Sequence, residues 1–273
     1  MEKLTNVKAV YFSPTGTTKR AVEGVAAAIA AKLGLPWSAD DFTLPARRQT
    51  PLVYDASQLV VFGMPVYAGR VPNMMLKYLA TLSGNGAMAI PMVCYGNRNY
   101  DDALIELRDI LETSGMHTFA AAAFIGEHSF SKILAAGRPD EKDLAIAADF
   151  AAQAAAKLTA ATEIPAPIEV TGQSPYRHYF LPLDKDGNKV DMRKIVSKVN
   201  DKCTNCGICA DVCPMGSIPK EDVRTYTGIC LRCGACIKAC PVQARYYDNQ
   251  AFIFHQENLE QVYARRAEPE LFV

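Results

Sequence analysis

The chain has 273 residues, with 29 Lys and Arg against 29 Asp and Glu. This length favours two domains, and the balanced charge argues against a nucleic-acid-binding chain and against wholesale disorder. The apolar stretches are far below the roughly 18 residues that a membrane helix needs, and the first residues lack the apolar region of a secretory signal. We therefore expect a cytoplasmic protein with no membrane span.

Strand and helix patterns alternate through the first 162 residues. The predicted strands are 7–12, 36–43, 58–64, 88–96 and 117–126, and the predicted helices are 17–33, 72–82, 101–113 and 141–161. Pro91, inside the fourth strand, predicts a bulge or an edge at that point. Five strands with intervening helices predict a doubly wound, five-stranded parallel sheet.

The loop after the first strand, SPTGTT, leads directly into the first helix. Backbone amides at a helix N-terminus, together with small hydroxyl side chains, favour a phosphate group. The sequence has neither the GK[ST] of a P-loop nor the three glycines of a dinucleotide fingerprint, and Met64 stands where a receiver domain would need an aspartate. A hydroxyl-rich helix cap that binds nothing remains the alternative.

Two more loops, PVYAGRVP at 65–72 and YGNRNYDD at 95–102, follow the third and fourth strands. Both contain aromatic residues and glycine, as the walls around a flat ring require, and in a sheet of this type such a site lies where the strand order reverses. With SPTGTT, these loops resemble the flavodoxin family over residues 4–160. The flavodoxin family binds FMN, so the resemblance implies an FMN site.

By that resemblance, two groups of residues would contact FMN. The phosphate would be bound by Ser13, Thr15, Gly16, Thr17 and Thr18. The ring would be flanked by Pro65, Val66, Tyr67, Ala68, Gly69, Tyr95, Gly96, Asn97, Arg98 and Tyr100, with Tyr67 and Tyr100 as the stacking candidates. Typical flavodoxins are strongly acidic here, whereas this chain has Arg70 and Arg98, and positive charge would stabilise a reduced anionic flavin.

Residues 163–194 differ in composition from what precedes them. Four prolines exclude a long helix, so we expect an extended connector between residues 1–162 and a second domain at 195–273. The aromatic residues Tyr176, Tyr179 and Phe180 predict that the connector packs on a domain surface. The tail after Asp248 is also apolar enough to pack back across a domain.

Eight of the nine cysteines lie in two runs that each read CxxCxxCxxxCP. Zinc ribbons use paired CxxC knuckles and fit this spacing poorly, while disulfides are not expected in a cytoplasmic chain. The duplicated run resembles the bacterial two-cluster [4Fe-4S] ferredoxin family. The resemblance implies a small α+β domain and these ligand sets: Cys203, Cys206, Cys209 and Cys240 for one cluster, and Cys230, Cys233, Cys236 and Cys213 for the other.

Together, the two parts resemble proteins of anaerobes in which a flavodoxin-like domain is fused to a two-cluster ferredoxin, sometimes called EFR-type ferredoxins. The resemblance implies electron transfer between ferredoxin-type partners through two [4Fe-4S] clusters and FMN. The alternative is an FMN-dependent reductase of a small organic substrate, fed by its own clusters. A redox or oxygen sensor is a third interpretation, which no DNA-binding pattern supports.

Overall fold

The computed structural model describes residues 2–273 as nine strands and seven α-helices. The strands are β1 (Asn6–Tyr11), β2 (Trp37–Asp41), β3 (Gln58–Pro65), β4 (Met88–Tyr95), β5 (His117–Thr118), β6 (Ala121–Ile125), β7 (Lys198–Val199), β8 (Arg245–Tyr246) and β9 (Glu270–Phe272). The helices are α1 (Thr17–Leu33), α2 (Asn73–Leu79), α3 (Ala103–Thr113), α4 (Glu141–Ala160), α5 (Ile208–Asp211), α6 (Ala235–Lys238) and α7 (Gln250–Val262). None of these described helices is long and apolar enough to cross a membrane.

The main sheet has the strand order β2-β1-β3-β4-β6, and all of these strands are parallel. The chain moves outward from β1 to β2 and then returns to the other side of β1 with β3, so the order reverses between β1 and β3. This doubly wound, flavodoxin-like arrangement confirms the predicted fold class. Loops that follow β1, β3 and β4 therefore share one edge of the sheet.

The two faces of the sheet are buried under different helices. On one face, α1 and α4 pack around Val22, Ile29 and Phe150. On the other, α2 and α3 contribute Leu79 and Leu107 to a second core. Because both faces are covered, the central strands are almost continuously apolar, which is typical of parallel sheets.

The predicted fifth strand is interrupted in the structure. β5 and β6 both pair with β4, and Phe119 and Ala120 separate them. On one side, Pro91 of β4 lies opposite Phe62 of β3. On its other side, Pro91 faces the gap between β5 and β6, and the pairing of β4 with β6 begins at Met92. The missing amide of proline accounts for the position of the gap.

The C-terminal tail crosses back to the first domain. β9 pairs antiparallel with β6, with Ala122 opposite Leu271, so the sheet gains an antiparallel edge strand that the five-strand prediction lacked. The prediction grouped the tail with residues 195–273; residues 270–272 instead extend the sheet of the first part. The remaining C-terminal region is a small α+β unit in which β7 and β8 form an antiparallel pair beside α5 and α6.

Candidate functional site

A cavity of about 570 Å³ opens at the edge of the sheet where β3 and β4 end. This volume lies within the range of small-molecule and cofactor sites. Its walls come from four parts of the chain: the loops after β3 and β4, the loop after β6 at residues 128–130, the connector between residues 179 and 193, and the C-terminal region, including Leu231, Arg232 and His255. The cavity is therefore formed only when the C-terminal region packs against the sheet.

Seven of the predicted ring-binding residues line this cavity. They are Val66, Tyr67, Ala68, Gly69, Tyr95, Gly96 and Arg98. The turn after β3 requires left-handed backbone at Ala68 and Gly69, and a Cβ on Gly69 would clash with the carboxylate of Asp101. Burial raises the pKa of Tyr67 well above its usual value, so its phenol is neutral at ordinary pH.

Three other predicted ring-binding residues, Pro65, Asn97 and Tyr100, do not line the cavity. Tyr100 is 3% exposed, packs against Tyr95 and donates a hydrogen bond from its hydroxyl to Glu270. The side-chain amide of Asn97 donates to the carbonyls of Tyr263 and Arg265, both at 2.6 Å. The side chains of Tyr100 and Asn97 are therefore both hydrogen-bonded to the C-terminal tail. Of the two stacking candidates, Tyr67 faces the cavity and Tyr100 does not.

The predicted phosphate loop lies at the same edge of the sheet, at the end of β1, but outside the walls of this cavity. The hydroxyl of Ser13 accepts a hydrogen bond from the amide of Lys19 at 2.9 Å. Thr17 and Thr18 begin α1, and Gly16 precedes them with a left-handed backbone. The amide of Lys19 is therefore already bound, and the amides of Thr17 and Thr18, which as the first of the helix have no carbonyl partner within it, are the ones that suit an anion.

The side chain of Thr15 is partly exposed beside these amides, whereas Thr18 is buried. The thiol of Cys94 lies next to Thr17 and Thr18, whose hydroxyls hydrogen-bond to it. Burial nevertheless raises the pKa of Cys94 to about 12, so this cysteine is a neutral core thiol.

The connector supplies a wall that the sequence indicated only through its aromatic content. The guanidinium of Arg98 lies 4.6 Å from the ring centre of Phe180 and pairs with Asp101. The amide of Phe180 donates to the carbonyl of Ala68 at 2.9 Å. Phe180 is thus held against the β3 loop and faces the cavity beside Arg98.

Arg70 is not a cavity residue. Its guanidinium binds both carboxylate oxygens of Glu106, at 2.7 and 2.8 Å, and lies over the rings of Tyr176 and Tyr179. Glu106 therefore neutralises the positive charge that the sequence predicted near a flavin. Arg70 instead holds the connector against the domain, through Tyr176 and Tyr179.

Two histidines, the partly buried His128 and the buried His255, also line the cavity. Burial lowers the pKa of His128 to about 3 and that of His255 to about 4, so both imidazoles are neutral. Nδ1 of His128 accepts a hydrogen bond from the amide of Phe130 at 3.1 Å, which leaves the proton on Nε2. His255 belongs to α7, and no local sequence pattern indicated that this residue would line the site.

Four cysteines, Cys203, Cys206, Cys209 and Cys240, line one small cavity in the C-terminal region. We call these residues the Cys203 set. Three come from the first run and one from the second, which is the combination that the ferredoxin resemblance implies. Nε of Arg245, at the wall of this cavity, is buried without a hydrogen-bond partner in the described structure. Four thiols and a free guanidinium N–H therefore suit an iron–sulfur cluster: the thiols can bind iron, and the N–H can donate a hydrogen bond to a cluster sulfur.

The other four cysteines, Cys213, Cys230, Cys233 and Cys236, form what we call the Cys230 set. Cys213 is among the neighbours whose charge raises the pKa of each of the other three. Within residues 2–273, no three His, Cys, Asp or Glu side chains converge closely enough for a single metal ion. In a cubane each cysteine binds a different iron atom, so its sulfurs need not converge on one point.

The backbone around the two runs repeats with an offset of 27 residues. Left-handed residues occur at Asn205, Gly207 and Gly216, and again at Arg232, Gly234 and Gln243. Backbone amides donate to sulfur two residues after the first cysteine of each run and four residues after the last, at 3.2 to 3.4 Å. Such N–H groups stabilise thiolate ligands, and the repeat gives both runs the same ligating conformation.

Residues 202–244 match the 4Fe-4S dicluster domain family. Among solved structures, the chain is similar to a flavodoxin from the domain Archaea, with 16% identity, a TM-score of 0.41, and coverage of 57% of this chain and 99% of that one. It is similar to a flavodoxin of Streptococcus pneumoniae TIGR4, with 23% identity, a TM-score of 0.39, and coverage of 56% and 99%.

A third similar structure is rubredoxin oxygen:oxidoreductase from Desulfovibrio gigas, with 15% identity, a TM-score of 0.41, and coverage of 58% of this chain and 38% of that one. No curated protein is significantly similar to the chain.

The strand order and the cysteine segment define the class of this protein. It combines a flavodoxin-like α/β domain with a 4Fe-4S dicluster domain. This combination is the fusion that the sequence predicts, and it makes the chain an iron–sulfur redox protein.

Proposed function

We propose that the protein binds one FMN and two [4Fe-4S] clusters and transfers electrons between ferredoxin-type redox partners. The observation that carries this proposal is the composition of the 570 Å³ cavity: Tyr67 lines it from the flavodoxin-like domain, and Leu231, between two cluster cysteines, lines it from the other. Clusters supply single electrons and a flavin accepts one or two, so this chain's part is to hold the two kinds of centre close together.

The residues around the cavity divide this task. Tyr67 and Tyr95 supply aromatic surface, while Arg98, paired with Asp101, supplies guanidinium hydrogen-bond donors beside Phe180. The first turn of α1, with Thr15 next to it, provides amide and hydroxyl donors for the phosphate. The two cysteine sets supply thiolate ligands, and the amides that donate to their sulfurs favour the charged form.

Anaerobic purification with cofactor analysis tests the proposal directly. We expect about eight iron, eight sulfide and one FMN per chain, and reduction of the clusters should be followed by reduction of the flavin. Protein with eight iron that neither contains nor takes up FMN would contradict the flavin assignment. Protein in which reduced clusters never equilibrate with bound FMN would contradict the electron-transfer role.

The cavity also favours a second candidate, a reductase that acts on a small organic substrate at FMN. Lys189 of the connector lines the cavity in addition to Arg98, and Arg193 lines it as an ion pair with Asp191; Lys189 and Arg98 are the cations that suit an anionic substrate. Turnover of an electron acceptor that is lost in Arg98→Leu, and retained when the exposed Lys185 is replaced by Leu, would favour this candidate over a pure electron carrier.

A further inference from the structure

The two cysteine runs have equivalent backbones but very different surroundings. Leu231 is 8% exposed and Cys233 is 7% exposed. Their equivalents 27 residues earlier, Thr204 and Cys206, are both exposed to solvent. The second run is therefore the one that faces the flavodoxin-like domain.

The short helices within the two runs, α5 and α6, show the same asymmetry. A Cβ on Gly234 would lie 2.5 Å from the carbonyl oxygen of Ser129, whereas a Cβ on Gly207 would meet open space. Lys238 donates to the carbonyls of His128 and Ser131 and pairs with Glu127. Its equivalent, Asp211, pairs only with the exposed Lys220.

The cysteines that precede proline follow the same division. Cys213 is the last cysteine of the first run but belongs to the Cys230 set. The adjacent Pro214 is buried, and its carbonyl accepts a hydrogen bond from Arg48 of the flavodoxin-like domain. Cys240 belongs to the Cys203 set, and the adjacent Pro241 is exposed. The cysteines of the Cys230 set therefore lie beside the flavodoxin-like domain, including Cys213 from the first run, whereas Cys240 of the Cys203 set lies next to an exposed residue.

The 570 Å³ cavity reaches one set and not the other. Leu231 and Arg232, which follow Cys230, line its wall. Tyr67 packs against the core cluster that contains Leu231 and Cys233. Every residue that lines the small cavity of the Cys203 set lies within residues 203–245, so no described residue of the flavodoxin-like domain contributes to its walls.

We propose that the two cluster sites have fixed and different roles. The Cys230 set holds the cluster that exchanges electrons with FMN in the 570 Å³ cavity, and the Cys203 set holds the cluster that exchanges electrons with an external one-electron iron–sulfur protein. This inference rests on the proposed function and adds an order to it: external protein, Cys203 set, Cys230 set, FMN.

The electrons balance along this order. Two molecules of a reduced one-electron donor protein are oxidised at the Cys203 set, and each electron passes through the Cys230 set. FMN is reduced by the two electrons and takes up two protons from water. The reverse direction oxidises the flavin, returns both protons to water and reduces two acceptor proteins.

Matched cysteine variants test the order. Cys233→Ser and Cys206→Ser change the second cysteine of each run and should each leave about half of the wild-type iron. Light with a tertiary amine as electron donor reduces the bound flavin directly, and freeze-quench EPR then follows the remaining cluster. We expect rapid electron exchange between FMN and the remaining cluster in Cys206→Ser, and loss of this exchange in Cys233→Ser.

The outcomes separate this inference from the proposed function. Equal or reversed behaviour of the two variants, with normal exchange in the wild-type protein, overturns the order alone. Absence of exchange in the wild-type protein overturns the proposed function itself.

Should either cysteine variant fail to fold, Lys238→Met and Asp211→Asn keep every ligand and address the same question. Lys238→Met is expected to slow exchange between FMN and the clusters, whereas Asp211→Asn leaves it at the wild-type rate. The same rate in both of these variants contradicts the assignment.

Discussion

His128 illustrates how burial, rather than sequence, sets the properties of single residues at this site. Its imidazole lies against Gly96, and removal from water lowers its pKa, with further contributions from His255, Lys238 and Arg98. A neutral ring with its proton on Nε2 presents a hydrogen-bond donor to the cavity and adds no positive charge there.

The depressed pKa values of His128 and His255 predict a pH-dependent stability. In the unfolded chain both would titrate near 6.5, so the unfolded state binds more protons below that pH. Stability should therefore be complete above pH 6.5 and fall as the pH drops towards 4, by at most about 1.4 kcal/mol per pH unit for each histidine. Thermal unfolding of the holoprotein between pH 7 and 5 measures this loss of stability.

His128→Gln should flatten the dependence of stability on pH, and a variant of the exposed His178 should not. The same dependence in the wild-type protein and both variants would refute the prediction.

The two tyrosines that the sequence nominated for stacking should behave differently. Tyr67→Ala removes aromatic surface from the cavity and should weaken FMN binding roughly fivefold, since an aromatic contact contributes about 1 kcal/mol. Tyr100→Phe loses only the hydrogen bond to Glu270 and should leave FMN affinity unchanged. Titration of the apoprotein with FMN, followed by flavin fluorescence, compares them; similar losses in both would place the ring elsewhere.

At the scale of elements, the connector is a fixed wall and not a flexible tether. Asp102, fully buried at the start of α3, accepts hydrogen bonds from the amides of Gln173 and Arg177 and pairs with the Arg177 guanidinium. Glu106, one turn later, holds Arg70, and the Arg70 guanidinium donates to the carbonyl of Arg177 at 2.6 Å. Two buried acids on one helix thus position the segment that carries Phe180.

Asp102→Asn should loosen this wall. The amide side chain lacks the charge that Arg177 pairs with and can accept at only one atom, so we expect a loss of about 1–3 kcal/mol in stability. Hydrogen exchange should become faster at the amides of Gln173 and Arg177. Asp149→Asn is the control, because it is the same substitution at an exposed acid of α4. Equal exchange in both variants would mean that the connector is held by its aromatic residues alone.

At the scale of the whole molecule, the C-terminal region closes the cavity and completes the core of the first domain. Leu231, Cys233 and Ala235 belong to the same apolar cluster as the residues under α2 and α3. β9 then returns to pair with β6. The two parts therefore share a core as well as a site.

Lys238→Met should weaken the contact between the two parts without changing iron content. Its ammonium makes three contacts with the loop after β6. Their loss removes the donor to Oε1 of Glu127 and to the carbonyl of Ser131, while the His128 carbonyl keeps the amide of Ser131 and Oε2 of Glu127 keeps the amide of Gly137. We expect faster hydrogen exchange in residues 127–134, measured by mass spectrometry on the holoprotein. Asp211→Asn should leave that segment protected, and protection in both variants would show that packing alone holds the contact.

Local sequence determined a large part of this protein. The sequence predicted a helix over 17–33, which are the observed bounds of α1, and the spacing of the cysteines predicted the dicluster domain. These features rest on contacts between residues a few positions apart, which periodicity and motif spacing record directly.

Only the tertiary structure decided the rest. Tyr100 and Asn97 are bound by tail residues more than 160 positions away, and no local pattern records such a contact. The two cysteine runs have the same motif, so their sequence could not show which one faces the cavity. That difference arises from neighbours such as Ser129 and Arg48, because burial depends on which surfaces meet when the chain folds.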